Sequence, residues 1–142
     1  RLEDGGKAAY VARHQDWRAL TASLVQCLLP NPSVKHTVEM IDAATGYGVN
    51  LGNVLTWGER MTNLKRALNL KLGYNARANE KLPELLLKPL ADGGTEGHVP
   101  ELEPMLREYY QYRDWDWDTG KPSHGKLLAL GMPEIAKDLW NV

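Results

Sequence analysis

Cys27 is the single cysteine of this 142-residue chain and the side chain best suited to metal or redox chemistry. A thiolate can bind one iron, but an iron–sulfur cluster needs about four such ligands. One cysteine also excludes an internal disulfide and favours a reducing compartment, so we expect a cytoplasmic protein. A lone cysteine among apolar residues is more often a small buried hydrophobe than a ligand. Cys27 can therefore serve a cluster only if the other thiolates come from outside this chain.

The four histidines form no recognisable metal or catalytic pattern. No two of them have the spacing of a zinc motif such as HExxH, and no Ser-His-Asp or Cys-His set stands out beyond chance. His36, Glu39 and Asp42 can share a helix face, which is more often a solvated surface than a site. We therefore predict no catalytic residue within this chain. The histidines are His14, His36, His98 and His124.

Composition excludes several classes of partner. The formal net charge is −1, from 17 basic and 18 acidic residues that are mixed along the chain. A basic stripe for nucleic acid is therefore missing, and no apolar run approaches the ~20 residues that cross a membrane. We expect neither nucleic acid nor a membrane as a partner. The chain begins with Arg1 rather than Met, so we expect the native N-terminus to lie upstream.

The hydrophobic periodicity is helical nearly throughout and predicts a single, multihelical all-α domain. The first predicted helix runs from Lys7 to Leu29 and is ended by Pro30, because proline cannot continue the hydrogen-bond ladder. This helix is apolar on two faces, which indicates burial on two sides. One face carries Trp17, Leu20, Leu24, Cys27 and Leu28, and the other carries Ala22, Val25 and Leu29.

Capping residues delimit the remaining predicted helices. Ser33 is expected to cap a helix that stops at Thr45 and Gly46, with Val34, Val38 and Ile41 inward. Asn50 is expected to cap a helix to about Leu72, with an inward stripe of Leu51, Val54, Leu55, Met61, Leu64, Leu68 and Leu72. Residues 75–80 and 91–98 are predicted loops. Further helical segments are predicted at 83–87, 100–115, 123–130 and 133–140. In the segment 100–115 the predicted inward side chains are Leu102, Met105, Leu106, Tyr109 and Tyr110.

A series of short motifs follows Cys27 in a specific order. They are Gly58-Glu59-Arg60-Met61, Asn63-Leu64, Arg66-Ala67-Leu68-Asn69, Leu82-Pro83-Glu84, Pro89-Leu90, Gly97-His98-Val99, Glu101-Leu102, Met105-Leu106, Glu108-Tyr109-Tyr110, Arg113, Trp115-Asp116, Gly120, Pro122 and Ala136-Lys137-Asp138-Leu139. From about Gly6 to Trp140, this series resembles the C-terminal helical domain of the tungsten-containing aldehyde ferredoxin oxidoreductases. No single motif is chemically decisive, but their order is specific.

The resemblance implies that residues 1–142 form the helical C-terminal domain of a larger oxidoreductase whose N-terminal cofactor-binding part is absent. That family oxidises aldehydes to carboxylic acids with a tungsten bis-pterin centre, a [4Fe–4S] cluster and ferredoxin as electron acceptor. Cys27 matches the last of its four cluster cysteines, the other three lying far upstream. We therefore expect Cys27 to be a metal ligand in the parent, and the chain alone to carry no cofactor.

The residues before Cys27 depart from the family. Its cluster cysteine closes a motif of the type Asp-x-x-Gly-Leu-Cys, whose aspartate binds the pterin, whereas this chain has Ala22, Val25 and Gln26 at the corresponding positions. Alanine cannot accept a hydrogen bond from the pterin, and valine adds bulk where glycine allows close approach. Ser23 and Gln26 are more often structural than pterin-binding. The alternative hypothesis is a non-catalytic helical scaffold or interaction domain that has lost pterin binding.

One apolar face of the first helix should be covered by the missing domains of the parent. We therefore expect the chain alone to leave Val25 and Leu29 exposed. Such an uncovered face also predicts self-association, or mobility between about Leu20 and Pro32.

Overall fold

The structure is a computed structural model that describes residues 3–27, 29–30, 32–74 and 76–141. Within these ranges the chain is all-α, as predicted, and the only β-type pairings are isolated bridges between Leu90 and Glu96 and between Trp115 and Pro122. The helices are α1 Ala8–Ser23, α2 Val34–Thr45, α3 Leu51–Lys71, α4 Ala76–Asn79, a 3₁₀ helix Glu84–Leu87, α5 Leu102–Arg113, α6 His124–Ala129 and α7 Pro133–Trp140. No helix in the described ranges is long and apolar enough to cross a membrane.

The long helix α3 is the centre of the fold, with α1, α2 and α7 packed against it. The first half of α3 shares a core with α1 and α2, in which Leu20, Val49 and Val54 are buried and Trp17, Val38 and Ile41 pack around them. The second half shares a core with the closing helices, formed by Ala67, Leu127, Leu130, Met132, Ala136 and Leu139. Helix α1 is therefore held by α3, and it also packs against α5.

Side-chain caps set the helix starts where the sequence predicts them. Ser33 Oγ accepts a hydrogen bond from the His36 amide at 3.3 Å. Asn50 and Asn53 accept from each other's backbone amides, so that two orphan N–H groups are satisfied at the start of α3. Ser123 Oγ accepts from the Lys126 amide at 2.9 Å. The predicted loop at residues 75–80 is wrong in part, because α4 forms there.

The predicted inward stripe of α3 is wrong at four leucines. Leu51, Leu64, Leu68 and Leu72 are exposed, whereas the buried positions of α3 are Val54, Gly58, Asn63 and Ala67. Gly58 lets α1 approach the backbone of α3 closely, and Ala67 packs against the closing helices, so these positions rather than the leucines face the core. On α2, Val34 is also exposed, while Val38 and Ile41 pack inward as predicted. In α5, Tyr110 is buried and the other predicted inward residues are half-buried.

Helix α1 ends at Ser23, six residues earlier than predicted. The Val25 amide donates to the Ala22 carbonyl and the Gln26 amide donates to the Thr21 carbonyl, both at 3.1 Å. With Val25 at φ 55°, this is a Schellman ending, in which a left-handed residue terminates the helix. Cys27 therefore lies outside the helix, and the predicted second face beyond Ser23 does not exist as a helical face. Residues 28, 31 and 75, which fall within segments that the sequence predictions cover, lie outside the described residues.

Val25→Gly is expected to stabilise the chain by about 0.5–1 kcal/mol. A left-handed conformation costs a residue with a Cβ about 1–2 kcal/mol, and the extra backbone entropy of glycine offsets about half of that. No packing is lost, because Val25 is 90% exposed. Urea denaturation measures the change. Val25→Ala is the control, since alanine keeps the Cβ and should gain little; a less stable glycine variant would contradict the left-handed ending.

Candidate functional site

The turn that follows α1, residues 24–27, carries the candidate ligand and is called the Cys27 turn below. Cys27 is a free, exposed cysteine, so the sequence-based alternative of a buried packing residue is wrong for the described conformation. No group of three or more His, Cys, Asp or Glu side chains within the described ranges could hold a metal ion. Cys27 is thus not part of a metal-binding group formed by the described residues alone.

A groove of about 340 Å³ lies beside the Cys27 turn, between the end of α1 and α2. We call it the α1–α2 groove, and it is lined by Leu24, Gln26, Thr37, Met40, Ile41, Ala44 and Thr45. Two buried polar atoms at this groove, Gln26 Oε1 and Thr37 Oγ1, have no hydrogen-bond partner among the described residues. Buried polar atoms in native proteins are nearly always paired, so these two indicate a partner that the described residues do not provide.

The residues at and just before the Cys27 turn lack the carboxylate that the family resemblance implies for pterin binding. Ala22 is exposed and offers only a methyl group, so no carboxylate stands where the family has its pterin-binding aspartate. Ser23 Oγ already donates to the Ala19 carbonyl at 2.9 Å, in agreement with a structural role. The amide oxygen of Gln26 is the unpaired acceptor nearest the cysteine in sequence. The described residues thus disagree with pterin binding through a carboxylate at this turn.

Gly58 fixes the distance between α1 and α3. A Cβ at this position would lie 2.2 Å from the carbonyl oxygen of Asp16 and 2.6 Å from its carbonyl carbon. Only a residue without a side chain allows the two backbones to approach this closely. Gly58 opens the motif on which the family resemblance rests, and the structure explains its identity by helix contact rather than by cofactor chemistry.

A buried ion pair ties α1 to α5. Arg113 is completely buried, and its Nη1 donates to both carboxylate oxygens of Asp16 at 2.7 and 2.9 Å. Its Nη2 donates to the Ala12 carbonyl at 2.9 Å, and Thr62 Oγ1 donates to Asp16 Oδ1 at 2.8 Å. Burial raises the pKa of the Asp16 carboxyl, and the hydrogen bond and charge of Arg113 oppose that rise. The pair holds α1, and with it the Cys27 turn, in one orientation.

Polar residues of α3 connect it to the second half of the chain. Glu59 accepts from Lys126 Nζ at 2.9 Å, and Arg60 Nη1 donates to the Leu130 carbonyl at 2.7 Å. Asn63 Oδ1 accepts from the Trp115 indole at 2.8 Å. These residues belong to the first motifs of the resemblance, but sequence reasoning assigned them no role. Their helical spacing on one polar face is the signal that could have predicted a structural set.

Arginine side chains cover the aromatic residues near the end of α5. Arg66 Cζ lies 4.3 Å from the centroid of a Trp115 ring, and Trp117 lies between Arg77 at 3.8 Å and Arg107 at 4.2 Å. Such contacts are typical of cation–π packing. The aromatic cluster is therefore part of the structural framework.

The other polar residues that the sequence singles out have local roles. His98 Nε2 lies 3.7 Å from Asp4 Oδ1 and so connects the long loop to the start of the chain. Asp42 Oδ1 accepts from the Val49 amide at 2.8 Å and closes the turn after α2. His36 is exposed on α2. The structure brings none of them to the Cys27 turn.

Comparison with known proteins identifies the family. Residues 1–132 match the sequence model of "Aldehyde ferredoxin oxidoreductase, domains 2 & 3". Over 98 residues, or 68% of this chain, it is 38% identical to the tungsten-containing aldehyde ferredoxin oxidoreductase of Pyrococcus abyssi and 36% identical to that of Pyrococcus furiosus. The aligned part spans only 16% of the length of each relative. The chain belongs to the aldehyde ferredoxin oxidoreductase family, as part of the C-terminal region that contains domains 2 and 3.

Proposed function

We propose that this chain is the helical C-terminal domain of a tungsten- and iron–sulfur-dependent aldehyde ferredoxin oxidoreductase. In the parent's reaction, an aldehyde gains the oxygen of one water molecule and becomes a carboxylic acid, with release of two protons and two electrons. A tungsten centre held mainly by the other domains would supply the two-electron chemistry, and a [4Fe–4S] cluster would supply one-electron transfer to ferredoxin. The observation that carries this proposal is the family match over residues 1–132, which includes an exposed cysteine at the predicted ligand position.

Cys27 is the residue through which this chain takes part. Its thiolate binds one iron of the cluster, and three cysteines of the N-terminal cofactor-binding domains bind the others. The exposure of Cys27 on a turn outside α1 supports this role, because the sulfur is open to a group held by another domain. The Gly58 contact and the Asp16–Arg113 pair act on Cys27 indirectly, by orienting the helix that precedes it.

Cys27→Ser in the full-length parent is expected to lower the iron content and to slow ferredoxin reduction by at least about tenfold. The harder hydroxyl is a poor ligand for iron, and even the loss of an outer partner of a metal ligand costs roughly 10–100-fold. Iron analysis and the electron paramagnetic resonance spectrum of the reduced protein measure the loss. Val25→Ala is the control, since it changes the same turn but keeps the sulfur. Unchanged iron content and rate would return Cys27 to a structural role.

The non-catalytic scaffold remains the second hypothesis, and the absence of a carboxylate at Ala22 favours it. The two hypotheses predict different sequences upstream of this chain. A CxxCxxxC run in the parent supports the enzyme, whereas its absence supports the scaffold. On either hypothesis, one thiolate cannot hold a cluster, so metal analysis must use the parent rather than the isolated chain.

A further inference from the structure

The α1–α2 groove has the features of an interface whose partner is absent. Leu24 and Met40, which line it, are 43% and 51% exposed. Val25 and Leu29, which belong to the same connection between α1 and α2, are 90% and 93% exposed. The expectation that these two side chains are not buried within the chain is thereby confirmed. Neighbouring exposed apolar side chains of this kind mark surfaces that other protein segments cover.

The unpaired polar atoms indicate what the partner must offer. Gln26 Oε1 can only accept a hydrogen bond, whereas the Thr37 hydroxyl can donate or accept one. Thr37 is 1% exposed, yet its hydroxyl lacks the bond to a preceding carbonyl that threonines in helices usually make. A partner that satisfies both atoms needs an N–H donor and a nearby acceptor, together with an apolar group for the groove. The backbone N–H and C=O groups of a peptide segment that carries an apolar side chain combine these three properties.

We propose that the α1–α2 groove receives a polypeptide segment from another domain of the same parent protein. An apolar side chain of that segment fills the space between Leu24 and Met40, and its backbone N–H and C=O groups bond to Gln26 Oε1 and the Thr37 hydroxyl as Gln26 adjusts its side chain. This inference rests on the proposed function only in taking the chain as one domain of a larger protein. The length of the relatives supports a segment of the same protein as the occupant. The aligned region is only 16% of their length, so most of a protein of that size is available to cover the groove.

Thr37→Val tests whether the Thr37 hydroxyl is unpaired in the isolated chain and paired in the full-length parent. The test is the sign of the change in melting temperature. Valine has nearly the same shape as threonine but no hydroxyl, so it removes an unsatisfied polar group from the isolated chain. We expect the melting temperature of the isolated chain to rise by about 3 °C and that of the full-length parent to fall, because the hydroxyl is paired there. Thr56→Val is the control, because the exposed Thr56 hydroxyl already donates to the Gly52 carbonyl at 3.0 Å. This substitution should shift the melting temperature in the same direction in the isolated chain and in the parent. A shift of the same sign in chain and parent would overturn the proposal.

A photo-crosslinker identifies the occupant directly. With p-benzoylphenylalanine in place of Met40 in the full-length parent, irradiation should join this position to a peptide from outside residues 1–142 of the same polypeptide. The same group in place of Glu134, an exposed residue of α7, is the control and should not join that peptide. Crosslinks between two copies, or labelling by solvent alone, would contradict the proposal.

Metal analysis of the same parent preparation separates this inference from the proposed function. A parent without tungsten or iron that still gives the Met40 crosslink would refute the enzyme and keep the docking site. A parent with both metals but no such crosslink would refute the docking site and keep the enzyme.

Discussion

Gly58→Ala is expected to destabilise the chain by about 3 kcal/mol and to lower its melting temperature by roughly 10 °C. The new methyl group would lie 2.2 Å from the Asp16 carbonyl oxygen, which is backbone and cannot rotate away. Helix α1 must therefore move off α3, and the core of Leu20, Val49 and Val54 must open with it. Thermal unfolding followed by circular dichroism measures the loss.

Gly125→Ala is the matched control for this substitution. Gly125 also lies within a helix, but a Cβ there meets only Ser123 Oγ at 3.9 Å, which is an ordinary contact. Alanine at this position should stabilise the chain by about 0.5 kcal/mol, since it restricts the unfolded backbone. If Gly58→Ala and Gly125→Ala had similar effects, the close approach of α1 and α3 would be wrong.

Arg113→Met is expected to destabilise the chain by about 3–5 kcal/mol, because it leaves the Asp16 carboxylate buried without its countercharge. Asp16 is 6% exposed, and Arg113 provides two of its hydrogen bonds. Urea denaturation at neutral pH measures the change. The double variant Asp16→Asn with Arg113→Met is the control and should recover a large part of the stability, since it removes both charges from the interior.

The Arg113→Met variant should also respond to pH in one direction. Burial already raises the pKa of Asp16 above its ordinary value, and removal of Arg113 takes away the interaction that opposes this rise. The protonated carboxyl then favours the folded state below the unfolded pKa of about 4, and this contribution is lost as the pH rises through the higher folded pKa. The variant should therefore unfold at less urea at pH 8 than at pH 5. A double variant that kept this pH dependence would show that Asp16 is not its source.

Local signals in the sequence determined much of the fold. Ser33, Asn50 and Ser123 cap helices where the pattern places them, because capping depends on residues only three positions apart. Gly46 ends α2 in the left-handed conformation that glycine favours. The ordered motifs predicted the family, which the match over residues 1–132 confirms. These features need no knowledge of distant contacts.

The tertiary structure decided which residues face inward and where α1 ends. The periodicity selects leucines, but α1 contacts α3 at Gly58 and the closing helices pack on Ala67, so Leu64 and Leu68 are left exposed. A valine in the left-handed region ends α1, and propensity alone does not predict this because valine resists that conformation. The exposure of Cys27 follows from that early ending. The sequence by itself therefore determined the family, most of the helices and the candidate ligand. Contacts between residues far apart in the chain, such as Asp16 and Arg113, determined how that ligand is oriented.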